Sequence, residues 1–348
     1  METALITQLA AAGAVKASYQ GASTLAHFGD VAAEFATLCG GCALTSLDWR
    51  AKLIVTGADR VRWLNGVVSN NVRDLPFEQG NHSFVLDDKG HILGDVDVFQ
   101  CGEYLLVATS AAQMPRLKAH FEDYIVMDDV ELTEVSEQLA SIGVKGSGAR
   151  HLLDNFGLPF LDPGQICKGV LDEVGFSVTR ETEPAADGYE FWVSAANAQH
   201  LCESIASLGA KPVGSEAHEW LRIARGTPLC GLDLKDTDLP QESGQMHLLH
   251  FAKGCYIGQE TVERVRSRGN VRRVLCGLEI AGSAPEPGSP VLHEGKEVGI
   301  TGSAARVVFA AGARTLALAM LRREASAPGL PVNIQGVAAT VASLPFEY

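Results

Sequence analysis

The segment from Lys253 to Glu260 reads Lys-Gly-Cys-Tyr-Ile-Gly-Gln-Glu and carries residue types well suited to chemistry. Two glycines flank a Cys-Tyr pair, so a ligand could approach the backbone at Cys255 closely. The stretch that follows, Thr261 to Val265, is predicted to be helical, and a helix N-terminus favours the thiolate form of a nearby cysteine. The pattern indicates a reactive thiol at Cys255. The other interpretation is a buried cysteine in a tight glycine turn.

The longer stretch from Lys253 to Arg273 is strongly basic. It holds six basic and two acidic residues, a local charge of +4 in a chain whose formal net charge is −14. Such a strip favours an anionic partner, and polyglutamate, RNA phosphate and an acidic protein all qualify. A solvated helix end is the alternative. The basic residues are Lys253, Arg264, Arg266, Arg268, Arg272 and Arg273.

Composition narrows the class of protein. The 348 residues, of which 46% are hydrophobic, suffice for two or three globular domains. The acidic balance disfavours a general nucleic-acid binder, and no apolar run is long enough to cross a bilayer. Leu9 to Val15 lacks the basic flank of a signal peptide and is expected to be a short helix or arm.

Cysteine usage predicts the compartment. Eight cysteines without an export signal favour reduced thiols and a cytoplasmic location. Cys39 and Cys42 form a lone CxxC that lacks the second pair needed for a zinc site, so we expect no metal.

The elements that must position these residues alternate between strands, hairpins and helices. Asp87 to Gly90 is a turn signal between the predicted strands Ser83 to Leu86 and Ile92 to Phe99. A helix is predicted over Asp59 to Val68, with Asp59 as N-cap. This mixture favours an α+β fold over a doubly wound parallel sheet. Further strands are predicted at Leu53 to Val55, Tyr104 to Ala108, Ser141 to Val144 and Tyr189 to Val193, and helices at Leu117 to Tyr124, Ala195 to Leu208 and from Ser215.

After about residue 268 the pattern changes. Glycine and proline punctuate short apolar stretches, which predicts a small β-barrel or sandwich. Thr315 to Leu321 is ambiguous, because its alanines and leucines favour helix by propensity. We place the boundary near Ser267 to Asn270, giving a region of residues 1–267 and a C-terminal domain of residues 268–348.

The Lys253 to Glu260 motif resembles the signature of the bacterial YgfZ family. These are folate-binding proteins linked to tRNA modification and iron–sulfur cluster maintenance, related to the glycine-cleavage T-protein, an aminomethyltransferase. The resemblance implies an α+β, three-lobed folate-binding region with ferredoxin-like parts, followed by a C-terminal β-barrel. Weaker matches occur in the right order at Gly57 to Asn65, Lys89 to Asp95, Gly188 to Glu190, Leu221 to Ile223 and Leu239 to Glu242.

The chain departs from the aminomethyltransferases at two points. Those enzymes lack the cysteine signature, and they typically show paired aspartates in the hairpin where this chain has Gly94 and Asp95. Glycine cleavage is therefore the less favoured chemistry.

The resemblance implies a tetrahydrofolate site. A carboxylate can accept two adjacent pterin N–H groups; Glu190 matches this role best, and Asp95 is second. Arg222 suits the carboxylates of the folate tail, and Tyr189 could supply an aromatic wall. The functional thiol would be Cys255, supported by Lys253, Gly254, Tyr256, Gly258, Gln259 and Glu260.

The resulting hypothesis is a cytoplasmic tetrahydrofolate-binding protein that supports iron–sulfur cluster assembly or repair and thereby tRNA modification. Its partners would be iron–sulfur proteins or assembly factors, with RNA contact at the Arg264 to Arg273 strip. A folate-dependent aminomethyltransferase that positions folate with Asp95 is the competing hypothesis. A non-catalytic interaction module is the third. Whether a reaction is catalysed is left open by the residues.

Overall fold

The computed structural model describes residues 13–171, 173–182, 188–269 and 271–347. The helix or arm expected over Leu9 to Val15 lies mostly outside them. The described residues divide into two compact units, one drawn from residues 1–83 and 95–218 and the other from 84–94 and 219–348.

The helices and strands occupy most of the predicted positions. The strands are β1 (Val15–Tyr19), β2 (Ala22–His27), β3 (Ala43–Ser46), β4 (Arg50–Thr56), β5 (Gly80–Leu86), β6 (Ile92–Gln100), β7 (Leu105–Ser110), β8 (Glu131–Glu134), β9 (Leu139–Lys145), β10 (Ile166–Leu171), β11 (Val174–Arg180), β12 (Gly188–Ser194), β13 (Lys211–Pro212), β14 (Arg273–Ile280), β15 (Pro290–His293), β16 (Lys296–Phe309), β17 (Gly312–Arg322), β18 (Pro331–Ile334) and β19 (Val337–Ala342). The helices are α1 (Val31–Gly40), α2 (Arg60–Val67), α3 (Met114–Asp123), α4 (Ala149–Asn155), α5 (Ala198–Ser207), α6 (Ser215–Arg225) and α7 (Gln259–Arg268).

Two sheets organise the residues that precede the barrel. One has the strand order β10-β11-β12-β9-β3-β13, and the other the order β5-β6-β7-β4-β8. In the first sheet, one face of β12 and β9 packs with α4 and α5 in an apolar core that includes Val144, Leu153, Phe191 and Leu201. The alternation of side chains along a strand places Glu190 and Trp192 on the opposite face of β12, where Trp192 packs in a second apolar cluster with Phe99.

The C-terminal strands close into a barrel in the order β14-β17-β16-β15-β18-β19. The ambiguous stretch Thr315 to Leu321 lies within β17, which pairs with β14 on one side and β16 on the other. Residues 316–321 are buried throughout, so both faces of the strand are apolar and no period of two is visible in the sequence. Pairing with two neighbours outweighs the helical preference of alanine and leucine.

Two details differ from the expectations. Asp59 precedes α2 but makes no capping bond; its carboxylate instead accepts the backbone N–H of Asp129 at 3.0 Å. The predicted boundary near Ser267 to Asn270 falls inside the second compact unit, although every barrel strand follows it. The division into a region of residues 1–267 and a C-terminal domain of residues 268–348 stays a prediction. Of the helices in the described residues, none has both the length and the apolar character needed to cross a membrane.

Candidate functional site

Glu190 lies on the face of β12 opposite the α4–α5 core and is almost fully buried. Its carboxylate accepts hydrogen bonds from Ser141 Oγ, from Trp192 Nε1 at 2.9 Å and from Arg50 Nε at 3.2 Å. The strand register explains this arrangement, because Trp192 lies directly opposite Ser141 and two residues beyond Glu190. Burial would raise the pKa of Glu190, but Arg50 and Lys52 outweigh it and hold the pKa below its ordinary value.

Arg50, at the start of β4, joins two carboxylates. Its Nε bonds Glu190, and its Nη2 bonds Asp97 of β6 at 2.7 Å. Burial tends to lower the pKa of Arg50, yet the two carboxylates raise it overall, so the guanidinium stays charged. The other oxygen of Asp97 accepts the Thr182 hydroxyl at 2.8 Å.

Lys52 follows two residues later on β4 and is fully buried. Its Nζ donates to the carbonyls of Leu139 at 3.0 Å and Arg50 at 3.4 Å. Burial and, to a smaller extent, the Arg50 charge lower the pKa of Lys52 to about 8, although Glu190 opposes them. The ammonium therefore deprotonates more easily than an exposed lysine.

Asp95 lies two residues before Asp97 on β6 and is more open to solvent, with 29% of its side chain exposed. Its Oδ2 is 2.8 Å from His82 Nε2, and its Oδ1 accepts from Gln113 Nε2 at 3.1 Å. Burial would lower the pKa of His82, but Asp97 and Asp95 raise it overall above its ordinary value. We call the group of Arg50, Lys52, His82, Asp95, Asp97 and Glu190 the charge cluster; all six belong to the first unit.

The structure brings two of the four predicted cofactor-binding residues together. Glu190 and Asp95 both belong to the charge cluster: Arg50 bonds Glu190 and Asp97, and Asp95 lies two residues before Asp97 on the same face of β6. Tyr189 lies on the other face of β12, within the apolar core. Trp192 is the aromatic residue on the Glu190 side, where its ring packs edge-on against Phe99.

Arg222 lies on α6 in the second unit and has a complete set of protein partners. Its Nε and Nη2 bond Glu219, its Nη1 bonds the Thr227 carbonyl and Asp233, and its Nη2 also donates to Ser303. These five contacts match the five N–H donors of a guanidinium. A ligand carboxylate could bind here only by replacing one of these partners.

The Lys253 to Glu260 segment forms the approach to α7. Cys255 and Gly254 are exposed, whereas Lys253 and Tyr256 are buried, with Lys253 Nζ 5.1 Å from the centre of the Tyr256 ring. Gly258 precedes α7 with a φ of +79°. A Cβ there would lie 2.7 Å from the Asp87 carbonyl oxygen, so the motif glycine allows contact with the β5–β6 hairpin.

Cys255 differs from most of the other cysteines in exposure. Burial raises the pKa of Cys42 and Cys167, and raises it to about 11 for Cys101 and Cys276 and to about 12 for Cys202. Those five thiols are held in the protonated, unreactive form. Cys255 and Cys39 are exposed. Among the described residues, no group of three or more His, Cys, Asp or Glu side chains is arranged to hold a metal ion.

The predicted basic strip does not form one face. Arg264, Arg268, Arg272 and Arg273 line a cleft in the second unit, and Cys255 is not part of its lining. Arg266 points elsewhere and stacks over Phe251, while Lys253 is buried. A separate, mainly apolar cavity of about 140 Å³ in the first unit includes Leu25, Leu44 and Cys202 but none of the predicted site residues.

A six-stranded and a five-stranded sheet with flanking helices, followed by a closed six-stranded barrel, form the fold of the T-protein-like class. The chain belongs to the family described as the GCVT N-terminal domain, which matches residues 5–253. Residues 272–345 match the CAF17 C-terminal β-barrel domain. The predicted α+β fold with a C-terminal barrel is confirmed, as is the relation to the T-protein.

Similar proteins span nearly the whole chain. The aminomethyltransferase of Geobacillus kaustophilus (strain HTA426) is 28% identical over a 365-residue alignment that covers 99% of this chain and 98% of that protein. The aminomethyltransferase of Rubrobacter xylanophilus is 27% identical over 306 residues, covering 86% and 82%. The crystal structure of glycine cleavage system aminomethyltransferase T from Bartonella henselae has a TM-score of 0.88 at 20% identity, covering 99% and 98%, which shows a shared fold.

Proposed function

We propose that this chain is a cytoplasmic tetrahydrofolate-binding protein of the YgfZ type, which supports assembly or repair of iron–sulfur clusters and thereby tRNA modification. The observation that carries the proposal is the exposed Cys255 within the Lys253 to Glu260 motif. The match of residues 272–345 to the CAF17 C-terminal β-barrel domain also supports the YgfZ-type function.

The charge cluster fits the chemistry of a pterin. Glu190 is ionised and accepts three hydrogen bonds, whereas a carboxylate offers about four acceptor positions. Asp95 is the more exposed carboxylate of the cluster. Pterin N–H groups need such acceptors, and a charged acceptor strengthens each bond. We therefore propose that Glu190 and Asp95 hold the pterin, with Trp192 rather than Tyr189 as the nearby aromatic residue.

Arg222 stays the proposed anchor for the folate tail. A ligand carboxylate would replace Glu219, which is 26% exposed, rather than Asp233, which is fully buried. In such an exchange the Arg222 guanidinium keeps a carboxylate partner, so no buried charge is left unpaired.

Calorimetric titration with reduced folate tests this site. Glu190→Gln and Asp95→Asn should each weaken binding tenfold to a hundredfold, because a charged hydrogen bond to a ligand contributes roughly 1.5–3 kcal/mol. Arg222→Ala should weaken it similarly, with its thermal midpoint measured in parallel. Glu181→Gln is the control, since it alters another ion-paired carboxylate of the first unit, bonded to Lys145. Unchanged affinity in both cluster variants would remove folate from this site.

Cys255→Ser tests the functional thiol. The side chain is exposed, so the thermal midpoint should change little, since surface substitutions usually move stability by less than about 0.5 kcal/mol. Restoration of iron–sulfur enzyme activity in cells that lack the parent protein should be lost. Cys39→Ser, which alters another exposed cysteine, should restore activity fully. Full restoration by Cys255→Ser would reject the role of this thiol.

A folate-dependent aminomethyltransferase is the second candidate. It is favoured by the nearly complete alignment with proteins named aminomethyltransferase and by the place of Asp95 in the charge cluster. Folate-dependent one-carbon transfer to an amine distinguishes the two candidates. Turnover that survives Cys255→Ser but disappears in Asp95→Asn would replace the leading proposal.

A further inference from the structure

The cleft of the second unit is a separate concave site. It has a volume of about 530 Å³, within the range of small-molecule sites. Its walls come from the C-terminal half of α7, from residues 271–273, from three residues before α7 and from His91 of the β5–β6 hairpin. The lining residues are His91, Thr237, Leu239, Glu242, Arg264, Val265, Arg268, Val271, Arg272 and Arg273.

One of the four arginines in this cleft is already neutralised. Arg273 Nη2 lies 2.9 Å from Asp238 Oδ1 and 3.0 Å from Glu242 Oε2. The other three, Arg264, Arg268 and Arg272, form no ion pair with any carboxylate in the part of the chain that the structure describes; Arg264 only approaches the Thr261 hydroxyl, at 3.4 Å. Three guanidinium groups around one concavity repel one another until an anion enters.

The shape of the charged surface favours a compact anion over a long one. Arg266, on the same helix, is paired with Glu263 and stacks 4.4 Å from the centre of the Phe251 ring. Lys253 is buried. Among the residues of α7, the arginines without an ion pair are thus the two that line the cleft, and a concavity of this size suits a compact anion better than an extended RNA backbone.

The walls of the cleft also contain apolar side chains. Leu239, Val265 and Val271 lie among the arginines. Guanidinium forks bind phosphate oxygens in pairs, and apolar side chains suit the faces of a ribose or a base. A ligand that carries both phosphates and a nucleoside would contact both the arginines and the apolar side chains.

We propose that this cleft binds a nucleoside di- or triphosphate, with Arg264, Arg268 and Arg272 around the phosphates. The site is independent of the folate proposal, since it shares no residue with the charge cluster. It also leaves Cys255 outside the ligand contacts.

The full-length protein, free of folate, is titrated with ATP and with inorganic tripolyphosphate at low salt without divalent cations. Both should bind, with ATP tighter because of the apolar wall. Arg264→Ala and Arg268→Ala should each weaken ATP binding roughly tenfold or more, because each removes a charged hydrogen-bond donor. Arg266→Ala is the matched control from the same helix and should leave the affinity unchanged. Thermal midpoints verify that the variants are folded.

Three results would overturn the proposal. The first is no binding of either phosphate probe at low salt. The second is a loss in Arg266→Ala equal to that in Arg268→Ala, which would mean non-specific attraction. The third is preference for another anion: an RNA oligonucleotide whose affinity grows with length while ATP fails to bind, or triglutamate bound more tightly than tripolyphosphate.

Discussion

Lys52 is a buried ammonium next to a partly buried cation, Arg50, and near a buried carboxylate, Glu190. This local balance lowers the pKa of Lys52 from 10.5 to about 8 in the folded state. Between these two pH values the unfolded chain binds a proton at Lys52 that the folded chain has released. Stability therefore rises with pH across this window, whereas below pH 8 both states are protonated and the contribution is constant.

Lys52→Met removes this proton linkage. We expect the unfolding free energy of the parent protein to gain about 3 kcal/mol relative to Lys52→Met between pH 8 and pH 10.5. Denaturant unfolding of both proteins at a series of pH values measures the difference, and the comparison cancels groups that titrate equally in both. Lys118→Met, which changes a lysine on the surface helix α3, is the control. Parallel stability curves for the parent and Lys52→Met would contradict the prediction.

Only some of the residues of the charge cluster could be predicted from the sequence. Glu190 and Asp95 were predicted through the resemblance, but Arg50, Lys52, His82 and Asp97 were missed. Arg50 and Glu190 are 140 residues apart and meet only because two sheets bring them together. A signal was present in the alternating charges at residues 50 and 52 and at 95 and 97, which place like side chains on one strand face. The sequence does not show which strand faces meet in the folded protein.

At the scale of elements, two glycines allow the hairpin and the motif segment to meet. A Cβ on Gly90 would lie 2.8 Å from Thr261 Cβ, and one on Gly258 would lie 2.8 Å from Gly90 Cα. Both residues have positive φ values, +83° and +79°. The motif therefore has a structural requirement at Gly258 that is separate from any chemistry at Cys255.

Gly258→Ala should destabilise the protein more than Gly269→Ala. Both glycines flank α7 with positive φ, so alanine at either site costs about 1 kcal/mol of backbone strain. Only Gly258 has backbone atoms within 3 Å of the added carbon, and such overpacking costs about 1–3 kcal/mol more. Chemical denaturation of the two variants measures the difference. Equal losses would show that the hairpin moves aside freely.

The prediction of elements succeeded where periodicity or turn chemistry was local. The Asp87 to Gly90 turn and the helix after Gly258 lie where the pattern placed them. The sequence pattern did not decide between helix and strand at β17, because a strand buried on both faces shows no alternation of apolar and polar residues. It was wrong about Asp59 as a side-chain cap, because its carboxylate bonds Asp129, a residue 70 positions away.

At the scale of the whole chain, hydrogen bonds within the second unit connect residues that precede the barrel with the barrel strands. Asp233 is fully buried and accepts hydrogen bonds from Arg222, from the Leu229 amide and from both the amide and the hydroxyl of Ser303 on β16. The Phe346 amide also donates to the Ala224 carbonyl at 2.9 Å. Composition alone could not reveal these bonds, because the change in glycine and proline frequency marks only where the barrel strands begin.

These bonds predict that a fragment of residues 219–348 is more stable than one of residues 268–348. The shorter fragment retains the six barrel strands but loses Asp233, Arg222 and the carboxylates of Asp238 and Glu242, so Ser303 and Arg273 lose their partners. Losing a few charged hydrogen bonds of this kind costs about 2–5 kcal/mol. Both fragments lack the β5–β6 hairpin, which makes them a matched pair. Urea unfolding compares their midpoints. Equal midpoints would show that the barrel folds on its own from the boundary near Ser267 to Asn270, and that the residues before it only rest on its surface.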